Sequence, residues 1–115
     1  MNDKRRLPRK RVAEILEIFD PVTDDKLGRL VNITVEGFLL YSQNPIQSGD
    51  IFQLEMPLPR SINDLDKVSF GAEVVWSSMV KETESHWSGF RIIDISPEHR
   101  EVIDTLIADW DICDE

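Results

Sequence analysis

Cysteine is nearly absent from this chain. Cys113 is the only one among 115 residues, so no disulfide can form within the chain, and a lone thiol in an acidic tail fits a reducing cytoplasm. Histidine is almost as scarce. His86 and His99 have no second ligand-type residue at metal spacing, which argues against a zinc site, and His99 is read as solvent-facing in the first turn of a helix. No apolar run approaches the roughly 20 residues needed to span a bilayer. The basic N-terminus has no apolar stretch behind it, which excludes a secretory signal peptide. A phosphate loop of the GxxxxGK[ST] type is also missing. Nothing in the sequence looks catalytic, since neighbouring carboxylates are commonplace in so acidic a chain and carry no information without a cleft.

Positive charge is rare everywhere except at one end. Residues 1–12 hold six Lys/Arg against the single Asp3, a net of +5, whereas the other 103 residues hold seven Lys/Arg and 21 Asp/Glu, a net of −14. A segregated cationic arm implies an anionic partner, because guanidinium groups bind phosphate and carboxylate oxygens in pairs. A solvated basic tail is the alternative. The acidic body counts against a general nucleic-acid binder, which would present a broad basic face to successive phosphates. The length suits one domain able to bury roughly two thirds of its unfolded surface.

Most of the chain reads as strands. Val12–Phe19 is rich in β-branched and aliphatic residues and stops at Asp20-Pro21. Leu27–Ile33 follows a turn at Asp24–Lys26, and Phe38–Ser42 is closed by Gln43-Asn44-Pro45. Ile51–Met56 alternates apolar and polar residues and ends at Pro57-Leu58-Pro59. A polar connection over Arg60–Lys67 leads into Val68–Ser77, where Gly71 suggests a bulge or bend. Trp87–Ile95 follows a turn at Lys81–Ser85. Short strands with turn signals between them suggest a closed or sandwiched antiparallel sheet. The period then changes. Ser96 is a good N-cap, Pro97 suits the first helical position, and Val102, Ile103, Leu106, Ile107 and Trp110 share one face of a helix over about 97–110.

Two patterns stand out from this background. Arg5-Arg6-Leu7-Pro8-Arg9 sets two arginines four apart with a proline stiffening the chain between them. Asn32-Ile33-Thr34-Val35-Glu36-Gly37 joins the second and third strands; Asn32 and Thr34 can bond nearby backbone or a ligand, and Gly37 can take positive φ or allow a close backbone approach. Taken singly, the second is an ordinary hairpin turn, and its glycosylation sequon means little without secretion. Taken together, in this order and spacing, they are specific.

In combination they resemble the RxxxR and [D/N]xSxxG motifs of PilZ domains, with Arg5 and Arg9 in the first and Asn32, Thr34 and Gly37 in the second. The similarity continues through Gly49–Met56, Val74-Val75-Trp76 and Ser88-Gly89-Phe90-Arg91 to the C-terminal helix. This resemblance implies a mainly β fold, a six-stranded antiparallel β-barrel with a C-terminal α-helix, from a bacterial source. It implies a basic arm over residues 1–11, a barrel with its helix over 12–110 and an acidic tail over 111–115. It also implies a receptor for the second messenger cyclic di-GMP rather than an enzyme, with no cofactor and no membrane insertion. The contacts it implies fall to Arg5 and Arg9, helped by Arg6, and to Asn32 and Thr34, while Gly37 keeps the turn open. Trp76 matches an aromatic position that lies beside the ligand in some relatives, and a place in the barrel core stays open for it. Thr34 and Glu36 depart from the pattern: the first adds a methyl group to the usual serine, the second a negative charge to the ligand loop.

On this reading the arm is mobile until it closes on the ligand, and the signal passes to an unidentified protein, such as one controlling motility, biofilm formation or virulence. A nucleotide-independent adaptor that binds an acidic partner is the main alternative. A barrel that binds RNA or DNA fits the charge distribution least.

Overall fold

The computed structural model describes residues 15–108 and the backbone of residues 10–11. The strands are β1 (Lys10–Arg11), β2 (Glu17–Asp20), β3 (Asp25–Ile33), β4 (Gly37–Ser42), β5 (Ile51–Ile62), β6 (Leu65–Val80) and β7 (Ser85–Asp94), followed by the helix α1 (Pro97–Ile107). All pairings are antiparallel. Six strands run in the order β3-β2-β5-β6-β7-β4, and pairing of β4 with β3 closes them into a barrel. Closure leaves no long free sheet edge to pair with another chain.

The barrel interior is filled from every wall. Phe38 stacks on Phe90 with centroids 4.7 Å apart and meets Phe70 edge-on at 5.6 Å. Ile18, Ile33, Leu40, Leu54, Met56 and Val68 are fully buried around them. The helix closes this core against β5 and β6, with Val102, Ile103, Leu106 and Ile107 buried on the face that the sequence pattern selects. Burying each such side chain contributes about 1.5–3 kcal/mol. The Ser96 hydroxyl caps the helix by accepting the amide of His99, and Pro97 occupies the first turn.

Several sequence readings need revision. The strand expected at Val12–Phe19 is regular only from Glu17, and it extends to Asp20. Ile15 is exposed outside any strand, although the Leu16 carbonyl still accepts the Leu30 amide. The polar stretch Arg60–Lys67 is not a loop. β5 runs to Ile62, β6 starts at Leu65, and the two-residue turn Asn63-Asp64 has both φ positive, as a type I′ hairpin requires. Pro57 and Pro59 do not end β5, because the register with β6 shifts between Pro57 and Ile62, where missing amides leave no ladder partner unsatisfied. Likewise, β6 continues through Ser77–Val80, paired with Ser85–Ser88. The bulge expected at Gly71 is present as a register shift between Gly71 and Ala72.

His99 is not a solvent-facing residue. Its ring is half-buried, and Nδ1 lies 2.9 Å from the amide nitrogen of Ser69 on β6. It thereby pins the first turn of the helix to the barrel wall. Trp110 and Cys113 lie outside the described residues. Replacing His99 with Ala removes the acceptor for a part-buried amide, and we expect a loss of about 1–2 kcal/mol in urea unfolding with the far-ultraviolet dichroism unchanged. An unchanged midpoint would show that this bond contributes nothing.

Candidate functional site

The turn between β3 and β4 is built around one hydroxyl. Thr34 Oγ1 accepts the amides of Glu36 at 3.0 Å and Gly37 at 3.3 Å, while the Thr34 amide donates to the Gly37 carbonyl at 2.8 Å. A side chain that can bond two residues ahead is why Thr suits this position. The Glu36 carbonyl in turn accepts the Ile92 amide at 2.8 Å, tying the turn to β7. Thr34 is 8% exposed and Asn32 only 4%. The Thr34 hydroxyl proton is still free to be donated after both lone pairs are engaged.

Gly37 serves the turn differently from the expectation of positive φ. Its φ is not positive; instead, a Cβ at this position would collide with the Phe90 carbonyl oxygen on β7. The glycine is needed because two backbones approach closely. Gly89 has the corresponding role on the neighbouring strand, where a Cβ would strike the Trp76 indole. The ring therefore lies against the backbone of Gly89. Trp76 is 44% exposed, so the barrel-core reading is overturned.

Register joins these positions across the wall. Arg11 is opposite Asn32, Asn32 opposite Leu39, Leu39 opposite Gly89, and Gly89 opposite Trp76. Lys10 is opposite Ile33. One lateral row thus links the strand that begins directly after Arg9, the Asn32 position and the exposed indole. The next row brings Glu73 and Gly37 to either side of Arg91, whose guanidinium pairs with the Glu73 carboxylate at 2.5 Å. Arg5, Arg6 and Arg9 lie outside the described residues. Sequence reasoning gave no role to Leu39, Gly89 or Arg91; only the register places them beside the turn, and no spacing along the chain signals that. Among the described residues no group of three or more His, Cys, Asp or Glu side chains could hold a metal ion. Nor is any described helix long and apolar enough to cross a membrane.

A family profile described as the PilZ domain matches residues 3–109, and the chain belongs to that family. Solved structures share the fold at low sequence identity. The Bacillus subtilis inhibitor of motility MotI/DgrA superposes with a TM-score of 0.70 at 14% identity, covering 93% of this chain and 50% of its own. Escherichia coli YcgR in complex with c-di-GMP gives 0.65 at 18%, covering 91% and 45%. The K. pneumonia MrkH–c-di-GMP complex gives 0.74 at 14%, covering 94% and 52%. The chain therefore spans about half the length of these neighbours. No curated protein matches it.

The geometry of the turn makes two substitutions informative without any ligand. Thr34→Val keeps the shape but removes the acceptor for two amides, and should lower stability by about 1–3 kcal/mol, whereas Thr34→Ser should stay within about 0.5 kcal/mol of the parent. Gly37→Ala should destabilise because the Phe90 carbonyl belongs to a paired strand and cannot easily yield. Thermal melts of the three variants test both assignments, and a Gly37→Ala protein as stable as the parent would remove the close-approach argument.

Proposed function

We propose that this chain is a bacterial, cytoplasmic receptor that binds cyclic di-GMP between its N-terminal arm and the β3–β4 turn, and passes the signal to another protein. One observation carries the reading: the backbone of Lys10–Arg11, immediately after the RxxxR motif, pairs with Ile33 and Asn32 at the start of the NxTxxG motif. Two motifs far apart in sequence are thereby neighbours on the barrel wall. The exposed Trp76 indole, on the same lateral row, supports a ligand position for that residue. Two of the fold neighbours carry c-di-GMP in their structures, which makes the same ligand the natural first test.

In this proposal the arm, residues 1–11, closes on the ligand. Arg5 and Arg9 supply planar forks that match both phosphate oxygens and the O6/N7 edge of guanine, and Arg6 assists. Asn32 and the hydroxyl proton of Thr34 meet a guanine or phosphate edge, with Gly37 holding the turn against β7. Trp76 offers an indole face for a base to stack on. Neutralising the arm's mutual repulsion would fold it onto the barrel, an order–disorder route by which a binding event changes a surface. The −14 body keeps long nucleic acids away while leaving the arm attractive to a compact dianion.

Calorimetric titration with cyclic di-GMP tests this directly. We expect saturable binding by the parent, and its stoichiometry distinguishes one nucleotide from a stacked pair. Arg9→Ala should weaken binding by about ten- to a hundredfold, the equivalent of one charge-assisted hydrogen-bonded contact. Trp76→Ala should weaken it by about five- to a hundredfold through lost stacking, with the fold intact. Silence from the parent, or an Arg9→Ala protein of unchanged affinity, would sink the proposal.

A further inference from the structure

A second outward-facing row crosses the barrel away from the β3–β4 turn. Glu17 is opposite Arg29, Arg29 opposite Tyr41, Tyr41 opposite Trp87, and Trp87 opposite Ser78. The Arg29 guanidinium lies 5.6 Å from the centroid of the Tyr41 ring, and Tyr41 meets Trp87 edge-on with centroids 5.5 Å apart and planes at 73°. Beside this row is a groove of about 250 Å³, walled by Lys26, Leu27, Arg29 and Tyr41 and floored by Gly28. The floor has to be glycine: a Cβ there would come within 2.6 Å of the Tyr41 carbonyl oxygen.

We propose that this groove docks a short acidic segment of a partner protein, with one carboxylate at Arg29 and an adjacent apolar side chain against Tyr41 and Leu27. Charge is the first argument. Only seven cations stand among the 103 residues beyond the basic arm, and two of them, Lys26 and Arg29, wall this one groove. Lys26 is already answered by Glu17 at 3.1 Å, whereas Arg29 has no carboxylate partner among the described residues. Stacking on Tyr41 uses the flat face of the guanidinium and leaves its N–H edges in the plane, where a carboxylate accepts two of them. The stack also restrains the fork, so less side-chain freedom is lost on binding.

Glu17 is the second argument, because it selects against polyanions. A second negative group at the Lys26 end of the groove would meet that carboxylate and the acidic body behind it. A single Asp or Glu followed by an aliphatic or aromatic residue matches the cation at one side and the aromatic wall at the other. A nucleic-acid strand, with a phosphate at every step, does not.

Fluorescence anisotropy with a labelled pentapeptide alternating Asp and Leu tests the groove. The parent should bind it, and the same peptide with Asn for Asp should bind about tenfold more weakly. Arg29→Ala should lower affinity for the Asp peptide by about tenfold, Arg29→Lys should recover only part of it because the fork is lost, and Lys81→Ala, an exposed cation on the β6–β7 turn, should change nothing. No binding by the parent, equal binding of the Asn peptide, or equal loss in Lys81→Ala would overturn the proposal. So would an oligothymidylate that displaces the peptide, since that would make the groove a phosphate site.

Discussion

The pairing of β4 with β3 is the constraint on which the rest of the molecule depends. Without it the sheet would be an open ribbon with β3 and β4 as free edges, and the aromatic core of Phe38, Phe70 and Phe90 would lose a wall. The pairing rests on a very short connection. Between Ile33 and Gly37 only three residues turn the chain, so Thr34 has to satisfy amides that no strand can reach, and Gly37 must enter β4 flush against β7. The same closure aligns β1, β3, β4, β7 and β6 in one register, and this alone brings Arg11, Asn32 and Trp76 onto a common row.

The residues of the second motif therefore answer two demands at once. Thr34 and Gly37 would be required by the turn even in a barrel that bound nothing, since one supplies the acceptor and the other the missing Cβ. This sharpens what the motif signifies. A Thr or Ser, followed three residues later by Gly, reports a tight β3–β4 closure, and a ligand could use only what the turn leaves over: the hydroxyl proton of Thr34 and the side chains of neighbouring outward positions. The specificity of any ligand would then lie mainly with groups the turn does not need, which are the arginines of the arm and the indole of Trp76.

Much of this architecture was legible in the sequence, and the exceptions share a cause. The helix could be read because Ser96, Pro97 and the spacing of Val102, Ile103, Leu106 and Ile107 are local signals. Ile51–Met56 could be read because its alternation is local too. What escaped depends on partners distant in the chain. Arg60–Lys67 looks like a loop until Ile62 is seen buried and Leu58 and Leu65 packed against the core. His99 looks like a surface residue until Ser69, thirty positions earlier, is placed beside its ring. Of the site, the motif residues were visible as a pattern, but their neighbours Leu39, Gly89 and Arg91 were not, because register carries that information and register is fixed by closure.

Two bulges complete the argument, because they decide which side chains face outward. Strict alternation along β3 would put Arg29 outside, Leu30 inside, Val31 outside and Asn32 inside. The register shift between Leu30 and Asn32 inserts Val31 as an extra residue, so that Asn32 stands opposite the outward Leu39 while Ile33 returns to the core opposite Phe38. On β6 the shift between Val74 and Trp76 does the same. Val75 is the extra residue, its carbonyl accepts the Ser48 hydroxyl, and both Val75 and Trp76 end up exposed. Each bulge re-aims one polar or aromatic side chain onto the outer wall without disturbing the apolar face on either side of it. Deleting Val31 would return β3 to simple alternation, burying Asn32 in an apolar core and turning Ile33 outward, a change that no compensating substitution at the turn could repair. The outward row is thus a product of two irregularities in an otherwise regular barrel.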